Sequence, residues 1–402
     1  MSARRFRWRV WVAAALFTFA LTFAAAELTL RALGVSYPVF WTVDPHLGLV
    51  LRPDTAGWFR DEGGAYVTIN AHGMRDRPRE TAKAPGVYRI AVLGDSFIEA
   101  LQVPLEKTFC AQLEARLSRP GHPVEVLNFG CSGYGTAQEL LTLRHRVRAF
   151  APDLVLLALL TGNDLADNER SFDPILRRPY FVWQGEELVL DESFRDAAYY
   201  RSRKQPVLDF LASWCRVFQL ANALRRHGTA AFAAADGRPP PATTVPKRAA
   251  PSAPVAQTQP GLDDWIYLAP TDELWKRIWR TLERLLLMTR DEAAAQHARF
   301  GVVIVSNGID VHPDGNLRDT YARSLGAKDL AYPSKRVEAF LAANGVPCLS
   351  LVEPLRAYAE ATGQYLHGFA QRGIPGAGHW NEIGHAQAAQ ATAPWVVRQF
   401  AP

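Results

Sequence analysis

The first pattern along the chain is a basic cluster, Arg4, Arg5, Arg7 and Arg9, followed by an uncharged run from Val10 to Ala26 (VWVAAALFTFALTFAAA) that ends at Glu27. These seventeen residues are just enough helix to cross a bilayer. The positive flank predicts a cytoplasmic tail over residues 1–9 and puts the rest of the chain outside the cytoplasm, on the periplasmic or extracellular side. Ala24-Ala25-Ala26 also offers the small residues that a signal peptidase needs. Residues 10–26 are therefore read as a transmembrane anchor, favoured by length, with a cleaved signal sequence and a secreted product as the alternative. A buried helix of a cytosolic protein fits poorly with four arginines abutting the run and Trp8 and Trp11 at its edge.

Residues 27–85 are rich in Gly, Pro and short apolar runs, including Tyr66 to Asn70, and read as a β-containing lead-in. Apolar strands then alternate with helical periodicity, which predicts a parallel sheet with crossover helices. The strands are expected at Tyr88–Leu93, Val124–Leu127, Leu154–Leu160, Gly301–Ser306 and Pro347–Leu351. Helices are expected at about Lys107–Leu117, Thr136–Phe150, Thr271–His297, Ser334–Asn344 and Asn381–Phe400. This makes residues 86–402 one α/β domain, doubly wound around a five-stranded parallel sheet. From about 171 to 260 the order fades, and the Pro/Ala/Thr-rich stretch from Arg238 to Pro260 reads as a flexible insertion.

Composition alters this picture little. Hydrophobic residues are 48% and charged residues 21% of the 402, the balance of a globular protein. The arginines before the anchor account for four of the five net positive charges, so nothing electrostatic points to nucleic acid. Cys110, Cys131, Cys215 and Cys348 form no CxxC, which speaks against a zinc or thioredoxin-like site and leaves disulfide pairing undefined. No cofactor or metal is expected. Asp310-x-His312 lacks further ligands at useful spacing, and Gly130, Gly133 and Gly135 are spaced GxxGxG where a dinucleotide loop has GxGxxG.

Reactive groups of open α/β sheets gather after the carboxyl ends of the strands. Here those positions carry Gly94-Asp95-Ser96, then Asn128-Phe129-Gly130-Cys131-Ser132-Gly133, then Thr161-Gly162-Asn163-Asp164, while Gly378-His379-Trp380-Asn381 precedes the last helix. In order and position these four blocks resemble those of the SGNH/GDSL hydrolase family, over roughly residues 86–169 and 300–400. The resemblance implies a three-layer, flavodoxin-like sheet. It makes Ser96 the nucleophile and His379 the general base, with Ser96, Gly133 and Asn163 as oxyanion donors. The chemistry needs these types on its own account. A serine hydroxyl attacks only when a base takes its proton, histidine is the base that titrates nearest neutrality, and the anion of a tetrahedral intermediate needs fixed donors.

The family usually carries an acid three residues before the histidine, and here that position is Gly376. A Ser–His dyad is the favoured reading, with a backbone carbonyl orienting His379, or Asp310 reaching in from the end of the fourth strand. Ser132 is read as a turn residue because Tyr134 occupies the position where GxSxG needs glycine. Asp164 is also read as a turn residue, His385 as a packing or surface residue, and Trp265, Trp275 and Trp279 as core anchors.

The expected activity is serine-dependent ester hydrolysis through an acyl-enzyme. The resemblance implies an acylated small molecule or envelope polysaccharide as substrate. Two alternatives use the same residues: O-acyl transfer to a polysaccharide hydroxyl, and a non-catalytic carbohydrate-binding module on the hydrolase fold.

Overall fold

The computed structural model describes residues 2–173, 178–197, 200–202, 204–235, 264–369 and 375–401. The Pro-rich stretch from Arg238 to Pro260 lies outside these residues.

Helix α1 (Ser2–Ala32) contains the apolar run and continues without a break through Glu27 to Ala32. Among the described residues it alone is long and apolar enough to cross a membrane. The lead-in forms two antiparallel hairpins, β1 (Trp41–Asp44) with β2 (Gly48–Leu51), and β3 (Ala56–Phe59) with β4 (Ala65–Thr68). The first turn is closed by Asp44 Oδ1, which accepts from the backbone N–H groups of His46 and Leu47 at 2.8 Å each. The tip of the second hairpin is pinned where the Gly64 N–H donates to the Gln102 carbonyl at 3.2 Å, just beyond the first block.

The α/β domain begins with β5 (Tyr88–Gly94) and a single turn, α2 (Ser96–Glu99), followed by α3 (Phe109–Leu117). After β6 (Val124–Asn128) come α4 (Thr136–His145), β7 (Leu154–Leu160) and the short α5 (Asp164–Asp167). The region read as fading out holds more order than expected. Strands β8 (Tyr180–Gln184) and β9 (Glu187–Asp191) pair as a hairpin, and helices α6 (Gln205–Trp214) and α7 (Arg216–Ala235) follow. Gly185, in the left-handed region at φ 63°, makes the hairpin turn. Then come α8 (Glu273–Ala295), β10 (Arg299–Val305), α9 (Gly315–Leu325), α10 (Tyr332–Ala343), β11 (Cys348–Ser350), α11 (Val352–Thr362) and α12 (Glu382–Phe400).

Five strands form one parallel sheet in the order β6-β5-β7-β10-β11, so the chain reverses its direction of winding between β5 and β7. Both faces are covered, which is why the strands read as continuous apolar runs. Alternate residues serve two cores. Ala91, Leu93, Val155 and Leu157 pack with Ile278, Trp279 and Leu282 of α8, and Ile90, Val92, Leu154 and Leu156 pack with α3, Trp380 and α12. Trp275 and Trp279 are buried and Trp265 packs beside them, in keeping with their reading as core anchors. The lead-in adds a third core, in which Phe40, Leu51, Val67 and Ile69 meet α4 and the β8–β9 hairpin.

Candidate active site

The crevice at a reversal of strand order is where loops from neighbouring strands leave in opposite directions, and it opens here beyond the ends of β5 and β7. Asp95 follows β5 and caps α2, its carboxylate accepting the Phe97 N–H at 2.9 Å. This holds Ser96 on the first residue of a short, buried turn, with its side chain partly exposed.

Ser96 Oγ lies 2.7 Å from His379 Nε2, a distance at which the hydroxyl donates to an unprotonated ring nitrogen. The other ring nitrogen, Nδ1, is hydrogen-bonded to the carboxylate of Glu62, and the same carboxylate accepts the His379 backbone N–H at 3.0 Å. Glu62 stands in the turn between β3 and β4, whose tip is pinned beside α2. Burial opposes a charged imidazole at His379, but the hydrogen bond and charge of Glu62 outweigh it and hold the ring above the usual histidine range. The Phe97 ring packs 5.0 Å from the His379 ring, centroid to centroid, and forms an apolar wall.

An acid supplied by Glu62 corrects the dyad expectation and also the expectation for Asp310. The Asp310 carboxylate is buried and accepts from Tyr267 Oη at 3.0 Å and from Asn307 N and Nδ2 at 3.1 and 2.9 Å. It ties the end of β10 to the segment before α8 and makes no hydrogen bond to His379. Two glycines shape the segment before His379. Gly376 has φ 82°, and a Cβ there would meet His312 Cδ2 at 2.7 Å, so an aspartate does not fit. Gly378 has φ 81°, and a Cβ there would stand 2.3 Å from Glu62 Oε1, in the space the carboxylate needs.

The loop bearing His379 has a second brace that the sequence reading missed. His367 is buried, with Nδ1 at 2.8 Å from the Gly378 carbonyl and Nε2 at 3.1 Å from Ser306 Oγ. Trp380 Nε1 donates to the same hydroxyl at 3.2 Å. One tautomer satisfies every partner: indole N–H to serine oxygen, serine O–H to Nε2, and Nδ1–H to the carbonyl. Burial pushes His367 down to about 4, so it stays neutral near pH 7. His385 is a packing residue, its Nδ1 accepting from the Phe109 N–H at 3.2 Å inside the core.

The expected oxyanion donors sit on the two neighbouring loops. Asn163 Nδ2 donates to Asp95 Oδ2 at 2.9 Å, which uses one amide hydrogen and leaves the second. Gly133 is exposed with φ 77°, and its carbonyl accepts from Arg178 at 2.6 Å. Ser132 is more than a turn residue, since its hydroxyl donates to the buried carboxyl group of Glu99 in α2. Glu99 also accepts from Trp41 Nε1 of β1 at 2.8 Å. Burial pushes Glu99 up to about 7 against these hydrogen bonds. Asp164 closes the turn after β7 by accepting the Leu160 N–H at 2.9 Å. Burial and the neighbouring Glu139 hold it well above the usual carboxylate range.

No family model matches the chain. A curated arylesterase of Vibrio mimicus is 35% identical over 94 residues, which are 23% of this chain and 45% of that protein, so the match spans about half of the relative's length. Similar solved structures include an acetyl xylan esterase, AlAXEase, with TM-score 0.37 and 12% identity over 77% of this chain and 99% of that one. A carbohydrate acetylesterase from Sinorhizobium meliloti has TM-score 0.35 and 12% identity over 78% of this chain and all of that one, 100%. TesA has TM-score 0.33 and 14% identity over 77% of this chain and 98% of that one. The β6-β5-β7-β10-β11 parallel sheet with flanking helices is a doubly wound α/β fold, and the order of the chain's four blocks resembles that of the SGNH/GDSL hydrolases.

Proposed function

We propose that the protein is a carboxylic-ester hydrolase that works through an acyl-enzyme on Ser96 and removes acyl groups from envelope carbohydrate. The observation that carries this reading is the hydrogen-bonded run from Ser96 Oγ through His379 to Glu62. In the reaction His379 Nε2 takes the hydroxyl proton as Oγ attacks the ester carbonyl carbon. The oxyanion is held by the N–H groups of Ser96 and Gly133 and the free amide hydrogen of Asn163. His379 then gives its proton to the departing alcohol, and the acyl group remains on Ser96. Water, deprotonated by the same nitrogen, attacks the acyl-enzyme, and the acid leaves as the Ser96 hydroxyl reforms. Glu62 keeps Nδ1 protonated, so that Nε2 is the basic nitrogen, and stabilises the imidazolium formed in each half-reaction.

We infer that α1 anchors the enzyme, with residues 1–9 in the cytoplasm and the α/β domain outside it. The exposed apolar stretch and the arginines on one flank support this.

The test is release of acid from p-nitrophenyl acetate and from acetylated oligosaccharides by the full chain and by Ser96→Ala. Acetate release that disappears in the variant supports hydrolysis. Undiminished release by Ser96→Ala overturns it, and so does acylated sugar as the main product when a sugar acceptor is added.

A further inference from the structure

Helix α6 has two unlike sides. At 100° per residue, Val207, Phe210, Leu211 and Trp214 share one face, and Asp209, Ala212 and Ser213 share the opposite one. The second face is docked. Asp209 pairs with Arg52 at 3.0 Å and accepts from Thr42 Oγ1 at 3.2 Å, and Ala212 is buried. The first face is bare: Val207 is 61%, Phe210 63% and Trp214 65% exposed, with Leu208 at its margin 42% exposed. Burying it inward would require breaking the Asp209 contacts. A cluster of large exposed apolar side chains on a docked helix marks a surface that meets something apolar.

What it meets is indicated by α1. Glu27, the first residue after the apolar run, accepts the N–H groups of Arg216 and Val217 at 3.0 Å each, at the start of α7. Arg31, one turn further on, pairs with Glu27 at 2.8 Å and donates to the carbonyl of Trp214, at the end of α6. A carboxylate thus meets unsatisfied amides and a guanidinium meets an unsatisfied carbonyl, so the joint between anchor and domain is made of matched helix ends. Because α1 is one helix through Ala24, Ala25 and Ala26, the apolar run ends directly at this joint. The Trp214 end of the bare face of α6 therefore lies beside the turn of α1 that follows the apolar run. Trp214, nearest the joint, is of the residue type that settles at that boundary.

We propose that the Val207, Phe210 and Trp214 face of α6 lies in the interfacial layer of the bilayer crossed by α1, seating the catalytic domain on the membrane. The inference rests on the anchor reading above. Its partner is the lipid surface, recognised by the exposed apolar face of an amphipathic helix.

The full chain, reconstituted into phosphatidylcholine vesicles, tests this. With Cys215→Ser and Cys348→Ser as background, a nitroxide is attached at Phe210→Cys, at Trp214→Cys, or at Asp319→Cys on exposed α9 as reference. Collisions with oxygen, which concentrates in lipid, are compared with collisions with an aqueous nickel chelate. The expected result is a several-fold excess of oxygen over nickel accessibility at 210 and 214 and the reverse at 319, with the chain retained through alkaline carbonate extraction. Nickel accessibility at 210 and 214 equal to that at 319, in a chain that resists extraction, overturns the seating while leaving the anchor. Shielding from both reagents, with dipolar broadening between labels, means that a second copy covers the face and also overturns it. Release by carbonate removes the anchor reading and this inference with it.

Discussion

Glu62 and His379 are 317 positions apart in the chain, yet one carboxylate binds both Nδ1 and the backbone N–H of the histidine. The lead-in hairpin thus supplies the carboxylate partner of a histidine in the α/β domain. Replacing it with a neutral amide removes the charge that favours the imidazolium while nearly preserving the shape. Glu62→Gln is expected to lower kcat by roughly 10²- to 10⁴-fold with little change in KM. Steady-state kinetics on a short acyl ester check this, and an unchanged kcat would mean that Glu62 is structural only.

The same contact sets the pH dependence. In the proposed reaction only neutral His379 accepts the serine proton, and Glu62 holds its pKa above the ordinary histidine range. Activity should therefore fall as pH drops through a midpoint above the ordinary histidine range. In Glu62→Gln the acid limb should move to lower pH, because the stabilisation of the charged ring is lost. A pH profile of kcat/KM for both proteins measures the shift, and a move to higher pH would contradict the assignment.

Much of this site was legible in the sequence, and the exceptions have physical causes. The sheet strands are buried on both faces and so appear as unbroken apolar runs, and the four blocks follow because strand ends are where an α/β sheet leaves its backbone open. Glu62 sends no such signal. It comes from a hairpin tip, Asp61-Glu62-Gly63-Gly64, whose approach to His379 is a tertiary event without sequence periodicity. The available hint was negative: Gly376 and Gly378 stand three and one positions before the histidine, and the missing side chain at Gly378 leaves the space that the Glu62 carboxylate fills. Helices α9 and α11 send weak signals because each is a short, half-exposed helix of eleven residues, and the β8–β9 hairpin because each of its strands is only five residues long.

Asp310 and Asn163 should separate cleanly. Asp310→Asn puts an amide among donors that already bond the carboxylate, and it is expected to cost about 1–3 kcal/mol of stability while leaving the turnover of folded enzyme intact. Asn163→Ala removes a proposed oxyanion donor and is expected to lower kcat by about 10²- to 10³-fold. Denaturant unfolding and kinetics on both variants check the pair, and a catalytic loss in folded Asp310→Asn would restore that residue to the mechanism.

Glu99 ties α2 to the loop of Ser132 and Gly133. Its folded pKa of about 7 lies above the ordinary 4.5, so between these values the native state holds a proton that the unfolded chain releases. The contribution of this group is therefore full below pH 4.5 and lost as pH rises through about 7. Glu99→Gln cannot lose that proton, and its melting temperature should decline less than that of the wild type between pH 5 and pH 8. Parallel declines would show that Glu99 is ionised in the fold throughout.

Ser96 as the nucleophile is the central claim, and covalent capture tests it directly. The full chain is treated with a fluorophosphonate or a slowly hydrolysed ester and digested, and the modified peptide is sequenced by mass spectrometry. The account predicts a single adduct on Ser96, absent in Ser96→Ala and much slowed in Glu62→Gln. An adduct on Ser132 or another residue, or labelling that persists in Ser96→Ala, would contradict it.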